Sequence, residues 1–225
     1  MAFTSNHSDL KQINRLAIIN HIKKQPSISR SDLAKVTGLN KSTIGKIVQE
    51  LLDESWLKED SPTPLEGAGR RPTGLTLNGE VLTLLGAELG VDYIAVVACS
   101  ITGEIRFQSR LPYQHTNVET SVRQLADILC HTWKLMLSLN HHMLGLGVSV
   151  PGLVNALDGH VVDLPNIGWQ NIDLIDMLHQ RFVQQHMPEI DITIINDANA
   201  GALSEFVFGR SQYHRNPLIH LTVGI

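Results

Sequence analysis

The sequence predicts an α/β domain that is preceded by a small α+β domain of the winged helix-turn-helix class. Three observations support this prediction. Apolar residues recur at helical spacing in the first part of the chain, and a Pro/Gly-rich connection between two short strand-like runs follows. From about Asn78, three β-type runs are followed by alternating helices and strands. We therefore expect one domain at residues 1–79 and a second at residues 80–225.

The composition limits the possible classes of protein. The chain has 225 residues, of which 43% are hydrophobic and 18% are charged, and this composition excludes wholesale disorder. No run approaches the roughly 20 apolar residues that a membrane span requires, and the first residues lack the apolar core of a signal peptide. We therefore expect a cytoplasmic protein with no membrane partner. Cys99 and Cys130 form no disulfide framework and have no metal-ligand spacing, so no metal site is expected.

The charge is distributed unevenly between the two predicted domains. Residues 1–79 contain 11 Lys and Arg against 8 Asp and Glu, whereas residues 80–225 contain 7 against 14. A mildly basic first domain on an acidic second domain predicts that any polyanion is contacted by the first.

Three helices are predicted in the first domain. The first extends from about Ser8 to Gln25 and is ended by the proline that follows. The second begins at Ser29, which can cap the free amides of the first turn, and is closed by Gly38, the residue best suited to a left-handed turn. The third begins after Asn40, a favourable N-cap.

The third helix has an apolar back and a polar front, and the front presents Lys41, Ser42, Thr43, Lys46 and Gln49. Two helices joined by a tight glycine turn, the second with such a front, are typical of a DNA-binding helix-turn-helix. The short runs 56–59 and 74–77 flank a Pro/Gly-rich connection that suits a wing. The alternative is a small helical bundle with a solvated polar face.

The second domain is predicted from its alternating pattern. Three β-type runs, a long amphipathic helix and a buried strand come first, and helix, strand, helix and strand follow. The predicted bounds are Val81–Glu88, Tyr93–Cys99, Glu104–Leu111, Asn117–Leu139, Leu144–Val150, Ile172–His186, Asp191–Asn196, Ala198–Phe208 and Leu218–Ile225. This order predicts an α/β fold with a mixed sheet.

Two motifs with catalytic associations receive little support. Gly147–Pro151 resembles the nucleophile elbow of serine hydrolases, but a proline replaces its second glycine and no helix is predicted to begin there. The pair His141 and His142 is predicted in a polar loop without a nearby set of metal ligands. The P-loop motif of nucleotide-binding proteins does not occur.

Asn196 and Asp197 end a buried apolar strand, at the edge where ligand crevices of open α/β sheets lie. A carboxylate there can accept a proton from a sugar hydroxyl, and an amide can hydrogen-bond a neighbouring hydroxyl. The alternative is that both residues only cap the helix that follows.

Several segments together identify a resemblance. Residues 194–205, 151–154 and 164–169 resemble, in order and spacing, three segments of the ROK family (repressors, open reading frames, kinases). Residues 28–30, 38–43 and 69–72 are similar to the winged helix of its repressor branch, and residues 86–94 are most similar to the xylose-repressor type. The resemblance extends over the chain from about Ser8.

The resemblance implies a winged helix joined to the first lobe of an actin-like ATPase, ribonuclease-H-like domain. It also implies a sequence-specific repressor of carbohydrate-uptake or catabolic genes that binds double-stranded operator DNA, responds to a monosaccharide and forms a homo-oligomer. We expect Asn196 and Asp197 to contact the sugar. The residues expected to contact DNA are Ser31, Asn40, Lys41, Ser42, Thr43, Lys46, Arg70 and Arg71, the last two from the wing, where they would enter a narrow minor groove.

One departure from the family pattern argues against a sugar kinase, the competing hypothesis. In family kinases, a turn with the sequence Asp-x-Gly-Gly-Thr binds the phosphates of ATP and their metal. This chain has Glu88–Asp92 in that place. Val91 adds a branched side chain where close backbone approach is needed, and Asp92 adds a carboxylate that repels phosphate. We therefore expect no phosphoryl transfer, with Asp197 the catalytic base if the kinase hypothesis holds.

A second departure concerns the segment after Thr222. Full-length relatives continue into a second lobe that completes the sugar site and often holds zinc through Cys and His residues. The resemblance therefore implies a truncated chain without a cofactor and with weak or lost sugar binding. A remnant that binds DNA or dimerises without sensing a sugar is the third hypothesis.

Overall fold

The computed structural model describes residues 7–60, 73–113, 117–155, 157–209 and His220. These residues form two compact units that divide between Leu82 and Thr83, shortly after Gly79, where the expected boundary lies. Each unit has its own apolar core, as two domains require. We call the first unit the head and the second the lobe.

The three helices and the two later strands of the head follow in the predicted order, and one short strand is added between the first two helices. Its elements are α1 (His7–Lys24), β1 (Ile28–Ser29), α2 (Arg30–Thr37), α3 (Lys41–Asp53), β2 (Leu57–Glu59) and β3 (Gly74–Leu77). The strands form an antiparallel sheet in the order β1-β3-β2, in which Ile28 pairs with Leu75. The two-residue strand β1 was not predicted, because it is too short to show an alternating pattern. The predicted wing connection, 61–72, lies outside the described residues.

The turn between α2 and α3 forms through local caps. The hydroxyl of Ser29 accepts a hydrogen bond from the backbone N–H of Asp32 at 3.1 Å and so caps α2. Gly38 adopts a φ of +71° and its N–H donates to the carbonyl of Ala34 at 3.1 Å. A side chain would be strained at this φ, which is why glycine suits the end of α2. The two hydrogen bonds confirm the predicted caps at Ser29 and Gly38.

The core of the head determines which side of α3 faces solvent. Side chains from all three helices and all three described strands pack together: Ile18, Ile22, Ile28, Leu33, Ile44, Ile47, Val48, Leu51, Leu57 and Leu75. Full burial of each such side chain contributes about 1.5–3 kcal/mol. The four from α3 follow the helical spacing of one face, so the opposite face points away from the core.

The lobe contains eight strands and three helices within its described residues. In chain order they are β4 (Leu82–Leu89), β5 (Tyr93–Ser100), β6 (Ile105–Pro112), α4 (Val118–Ser138), β7 (His142–Val150), β8 (Leu153–Asn155), β9 (His160–Leu164), β10 (Trp169–Ile172), α5 (Leu174–Gln184), β11 (Ile192–Asn196) and α6 (Asp197–Phe208).

The main sheet of the lobe is mixed, as predicted. Its strand order is β11-β7-β4-β5-β6. The strands β4, β5 and β6 form an antiparallel meander, whereas β11 is parallel to β7, with Ile192 opposite Leu146. The five strands of this sheet can be numbered from first to fifth along the chain. Read from the β6 edge, their order is then third, second, first, fourth, fifth, which is the ribonuclease-H-like arrangement implied by the resemblance.

The helices lie on opposite faces of this sheet. Alternate residues of β4 and β5, including Leu85 and Val96, form one buried cluster with α4 and α5 residues such as Leu125 and Leu178. The other alternate residues, including Gly86 and Val97, line an open cleft together with α6. Because side chains alternate along a strand, α4 and α5 cover one face and α6 lies on the other.

Three strands of the lobe were missed by the sequence analysis. The strands β8, β9 and β10 form a separate antiparallel sheet in the order β10-β9-β8. The prediction began a helix at Ile172, but that residue ends β10, and α5 begins at Leu174. These strands have only three to five residues, which is too few for a clear period in the sequence.

Two further expectations have different outcomes. His141 lies between α4 and β7, as predicted, but His142 begins β7, so the loop assignment was wrong for the second histidine of the pair. Ser149 lies inside β7, opposite Ile195 of β11, and this position does not match a nucleophile elbow. The predicted strand 218–225 lies outside the described residues except for His220.

Within the described ranges, no helix is long and apolar enough to cross a bilayer. The same ranges contain no group of three or more His, Cys, Asp or Glu residues arranged to hold a metal ion.

Candidate functional site

The helix α3 presents an exposed polar face opposite its buried face. Lys41, Ser42, Lys46 and Gln49 are all exposed, whereas Thr43 is half-buried at the edge. Ser42, Lys46 and Gln49 follow the spacing i, i+4 and i+7, so they form one stripe. The structure therefore brings together most of the side chains predicted to face DNA.

Asn40 fixes the start of this stripe. Its side-chain oxygen accepts hydrogen bonds from the backbone N–H of Thr43 and from the hydroxyl of Ser42, both at 2.8 Å. The predicted role of Asn40 as an N-cap is confirmed. The bond from Ser42 must be exchanged if that hydroxyl is to reach a base edge.

Ser31 lies on α2, exposed to solvent. Its hydroxyl is 2.8 Å from that of Ser29, beside the cap of the same helix. Asp32 follows and pairs with Lys35 at 2.7 Å, and the hydrogen bonds from Lys35 and Ser29 hold the pKa of Asp32 below its ordinary value. Ser31 is thus placed at the exposed start of the helix that precedes α3.

Arg70 and Arg71 lie outside the described residues, but the strands that enter and leave the wing segment are described. The backbone N–H of Asp60 donates to the carbonyl of Gly74 at 2.9 Å. The carboxylate of Asp60 accepts hydrogen bonds from the hydroxyls of Ser27 and Thr76, the second at 3.1 Å. These bonds join β2, β3 and the turn before β1 beside the two ends of segment 61–72.

Ion pairs tie α1 to the C-terminal end of α3. The ammonium of Lys11 lies 2.9 Å from a Glu50 carboxylate oxygen, and the guanidinium of Arg15 lies 3.7 Å from Glu50 and 2.5 Å from Glu54. The hydrogen bond to Glu54 raises the pKa of Arg15. Because the Arg15 side chain is only 14% exposed, solvent screens this network less than it screens a surface pair.

Asn196 and Asp197 stand where β11 meets α6. The side-chain oxygen of Asn196 accepts from the N–H of Asn199 at 3.1 Å, and its amide donates to the carbonyl of Gly152 and to Asp197, both at 3.0 Å. Asp197 also accepts from the N–H of Ala198 at 2.8 Å. Asn196 therefore caps α6 and joins it to the segment before β8.

A cleft of about 1080 Å³ opens on the face of the sheet beside α6. Small residues from three elements, including Gly86, Gly147 and Gly201, line it together with the charged residues Glu88, Arg110 and Asp197. Asp197 thus faces a cavity as predicted, whereas Asn196 does not line this cleft.

Tyr93 begins β5, directly after the turn Glu88–Asp92 in which the resemblance places the phosphate contacts of family kinases. Its hydroxyl donates a hydrogen bond to Glu88, and the Arg110 guanidinium lies over its ring, 3.6 Å from the ring centre. A β-carbon added at Gly90 would lie 2.5 Å from this ring. Burial, and then the bond to Glu88, raises the pKa of Tyr93 to about 12, so the hydroxyl remains a donor at neutral pH.

Some residues of these sites were missed by the sequence analysis. Arg110 and Glu88 come together only because the antiparallel meander aligns β4, β5 and β6. Gly45 lies on the exposed side of α3, and a β-carbon there would meet nothing within 4 Å. Its position between Ser42 and Lys46 could have marked it in the sequence as a residue of this face. A glycine inside a helix lowers the stability of the helix by about 1 kcal/mol relative to alanine, so its presence there needs a reason.

Comparison with protein families agrees with this geometry. The ROK family profile matches residues 84–225, and a profile of winged helix-turn-helix DNA-binding domains matches residues 12–58. Together these matches confirm the two predicted fold classes.

Comparison with individual proteins also supports the match to the ROK family. The chain is 35% identical over 98% of its length to a protein named xylose repressor from Caldicellulosiruptor bescii, covering 53% of that protein. It is 32% identical over 96% of its length to the xylose repressor of Bacillus subtilis, covering 54% of it. A solved ROK family transcriptional regulator, a homologue of the Escherichia coli Mlc protein, aligns over 88% of this chain and 49% of its own with 25% identity and a TM-score of 0.72. The chain thus spans about half the length of the curated relatives it matches.

Proposed function

The chain belongs to the ROK family, and on this basis we propose that it is a sugar-responsive transcriptional repressor that binds double-stranded operator DNA. The observation that supports this most directly is the exposed polar and basic face of α3, the helix that follows the tight turn at Gly38. The xylose repressors among its relatives support a role in regulating carbohydrate-uptake or catabolic genes.

In the proposed complex, α3 enters the major groove. Lys41 and Lys46 contact phosphates or guanine edges, and Ser42 reaches base edges after it exchanges its bond to Asn40. Ser31 and Thr43 stand beside these residues and contact the DNA backbone. The NH₂ group of Asn40 donates a hydrogen bond to the DNA strand that these residues contact, while the side-chain oxygen of Asn40 continues to cap α3.

The proposed wing contact is tested with Arg70 and Arg71. DNA that the chain selects from a random duplex pool is titrated at several salt concentrations. Replacing both arginines with alanine is expected to weaken binding and to reduce the slope of log K against log salt by about one unit per lost contact. An unchanged footprint and slope for the double variant would contradict the wing assignment.

The proposed sugar contacts are Asp197 and its neighbour Asn196, which lie where β11 meets α6. A hydrogen bond to a charged carboxylate contributes about 1.5–3 kcal/mol in a protected site, but the cleft at Asp197 is open and the amide of Asn196 is already engaged. We therefore expect binding no tighter than about millimolar, or roughly 4 kcal/mol, for this chain with an aldose.

Calorimetry with a panel of aldoses measures this binding, and Asp197→Ala is expected to remove whatever heat is seen. Ser204→Ala is the matched control, since Ser204 lines the same cleft away from the strand end. If the two variants bind alike, the Asp197 assignment is wrong. If the unchanged chain gives no heat at all, the hypothesis of a DNA-binding remnant that does not sense a sugar is favoured.

We also propose that the chain does not phosphorylate sugars. Three features around one turn support this: Tyr93 lies against Gly90, Glu88 is hydrogen-bonded to Tyr93, and the N–H of Gly90 donates to the carbonyl of Tyr93 at 2.8 Å. A ring and an engaged amide thus occupy the turn where close phosphate contact would be needed. In a coupled assay with ATP we expect no turnover of glucose, xylose, mannose or N-acetylated hexosamines. Turnover that is abolished by Asp197→Asn would support a kinase.

A further inference from the structure

Three large apolar side chains of α1 are exposed to solvent among polar ones. Leu10 is 50% exposed, and Ile13 and Leu16 are each 59% exposed. Their spacing of three residues places them on one side of the helix, which we call the α1 stripe. The opposite side of α1 contributes Ile18 and Ile22 to the core of the head. One apolar row of α1 is therefore packed in the core, and a second row, the α1 stripe, is exposed.

The charges of α1 favour one arrangement for a partner helix. Asp9 lies in its first turn, and His21, Lys23 and Lys24 lie in its last turn. Two copies of α1 that run antiparallel bring the acidic start of each helix beside the basic end of the other. A parallel pair would bring the two basic ends together. The pattern is therefore complementary to itself under a two-fold axis, as an interface between identical chains must be.

We propose that the α1 stripe is a homodimer interface, in which α1 packs antiparallel against α1 of a second copy. A two-fold axis that passes between residues 14 and 15 places Ile13 opposite Leu16 of the partner subunit, with Leu10 farther from the axis. Three half-exposed side chains bury less than the roughly 800 Å² per partner of a standard interface. The contact is therefore weak between free heads and is strengthened when both heads are held on one DNA molecule.

The ion pairs behind α1 give this contact a consequence for DNA recognition. Lys11 and Arg15 connect α1 to Glu50 and Glu54, at or directly after the end of α3. Pairing of two α1 helices therefore sets the separation and angle of two α3 helices, which determines half-site spacing. This consequence rests on the proposed function, whereas the contact itself does not.

Site-specific cross-linking of the full chain tests the contact. Cys99 and Cys130 are first replaced with Ser and Ala, and circular dichroism is used to check that the fold is kept. One chain then receives Ile13→Cys and a second, of different size through a tag, receives Leu16→Cys. Mild oxidation of the mixture is expected to give several-fold more mixed dimer than either single-cysteine chain gives alone. Val36→Cys is the matched control, because Val36 is also apolar and 50% exposed but lies on α2.

Two results would overturn the proposal. Equal cross-linking by the Val36→Cys chain would show that the dimers arise from random collision. More dimer from Ile13→Cys or Leu16→Cys alone than from the mixture would indicate a parallel or different contact. A failed cross-link in a chain that still binds selected DNA removes this interface and leaves the repressor function in place. Cross-linked dimers that bind the selected DNA less well than the chain without a cross-link would contradict the proposed link between α1 pairing and half-site spacing.

Discussion

Replacing Lys46 with glutamate is expected to weaken operator binding by roughly a hundredfold. Lys46 is exposed in the middle of the polar face of α3, one helical turn after Ser42. Loss of one such contact costs about 1–3 kcal/mol, and the new carboxylate adds repulsion against the phosphates. Because the side chain lies outside the core of the head, the variant is expected to fold normally.

Fluorescence anisotropy with the selected DNA measures this loss, at one fixed salt concentration for all variants. Lys134→Glu is the matched control: it makes the same charge change at an exposed position on α4 of the lobe. A comparable loss in both variants would mean that net charge alone governs binding, and it would contradict the assignment of α3 as the recognition helix.

Replacing Gly152 with alanine is expected to destabilise the lobe by about 1–3 kcal/mol or more, the cost of overpacking a filled site. A β-carbon there would lie 2.4 Å from the carbonyl oxygen of Asp163 and 3.0 Å from the α-carbon of Leu164. These are backbone atoms of β9, so β8 and β9 must separate. The carbonyl of Gly152 also accepts the amide of Asn196, so the strand end beside Asp197 is expected to loosen as well.

Urea unfolding of the full chain with Trp56→Phe, followed by tryptophan fluorescence, measures the stability of the lobe, since Trp133 and Trp169 are both buried there and Trp56 lies in the head. Gly147→Ala is the control: Gly147 also lies near the site, on β7, but a β-carbon there would meet nothing within 4 Å. We expect its midpoint to stay near that of the unchanged chain. Equal destabilisation by both substitutions would show that backbone flexibility, and not the close approach to β9, explains the role of Gly152.

The head could be predicted almost entirely from the sequence because its signals are local. The caps at Ser29 and Asn40 and the left-handed turn at Gly38 each depend on residues within four positions. The apolar spacing from Ile44 to Leu51 then fixes which face of α3 is buried. Such signals need no knowledge of the remaining chain.

The sites of the lobe were less predictable because they depend on distant residues. Glu88 and Arg110 meet at Tyr93 only through the registers of β4 with β5 and of β5 with β6. The engagement of Asn196 requires Gly152, 44 positions earlier. The sequence predicted that Asn196 and Asp197 end a strand, and both the sugar-site and the cap interpretations followed from that. In the structure Asn196 ends β11, whereas Asp197 is the first residue of α6. The structure shows the cap at Asn196 and places Asp197 on the cleft.

The parallel pairing of β7 with β11 has a consequence for how the chain folds. Leu146 pairs with Ile192, 46 positions later, whereas the meander of β4, β5 and β6 joins neighbouring segments. Closing a long loop costs entropy before its contacts form, and non-local pairing slows folding. We therefore expect the head and the meander to be ordered first, and β11 last. During synthesis, a nascent chain would then be able to bind DNA before Asp197 reaches its place in the cleft.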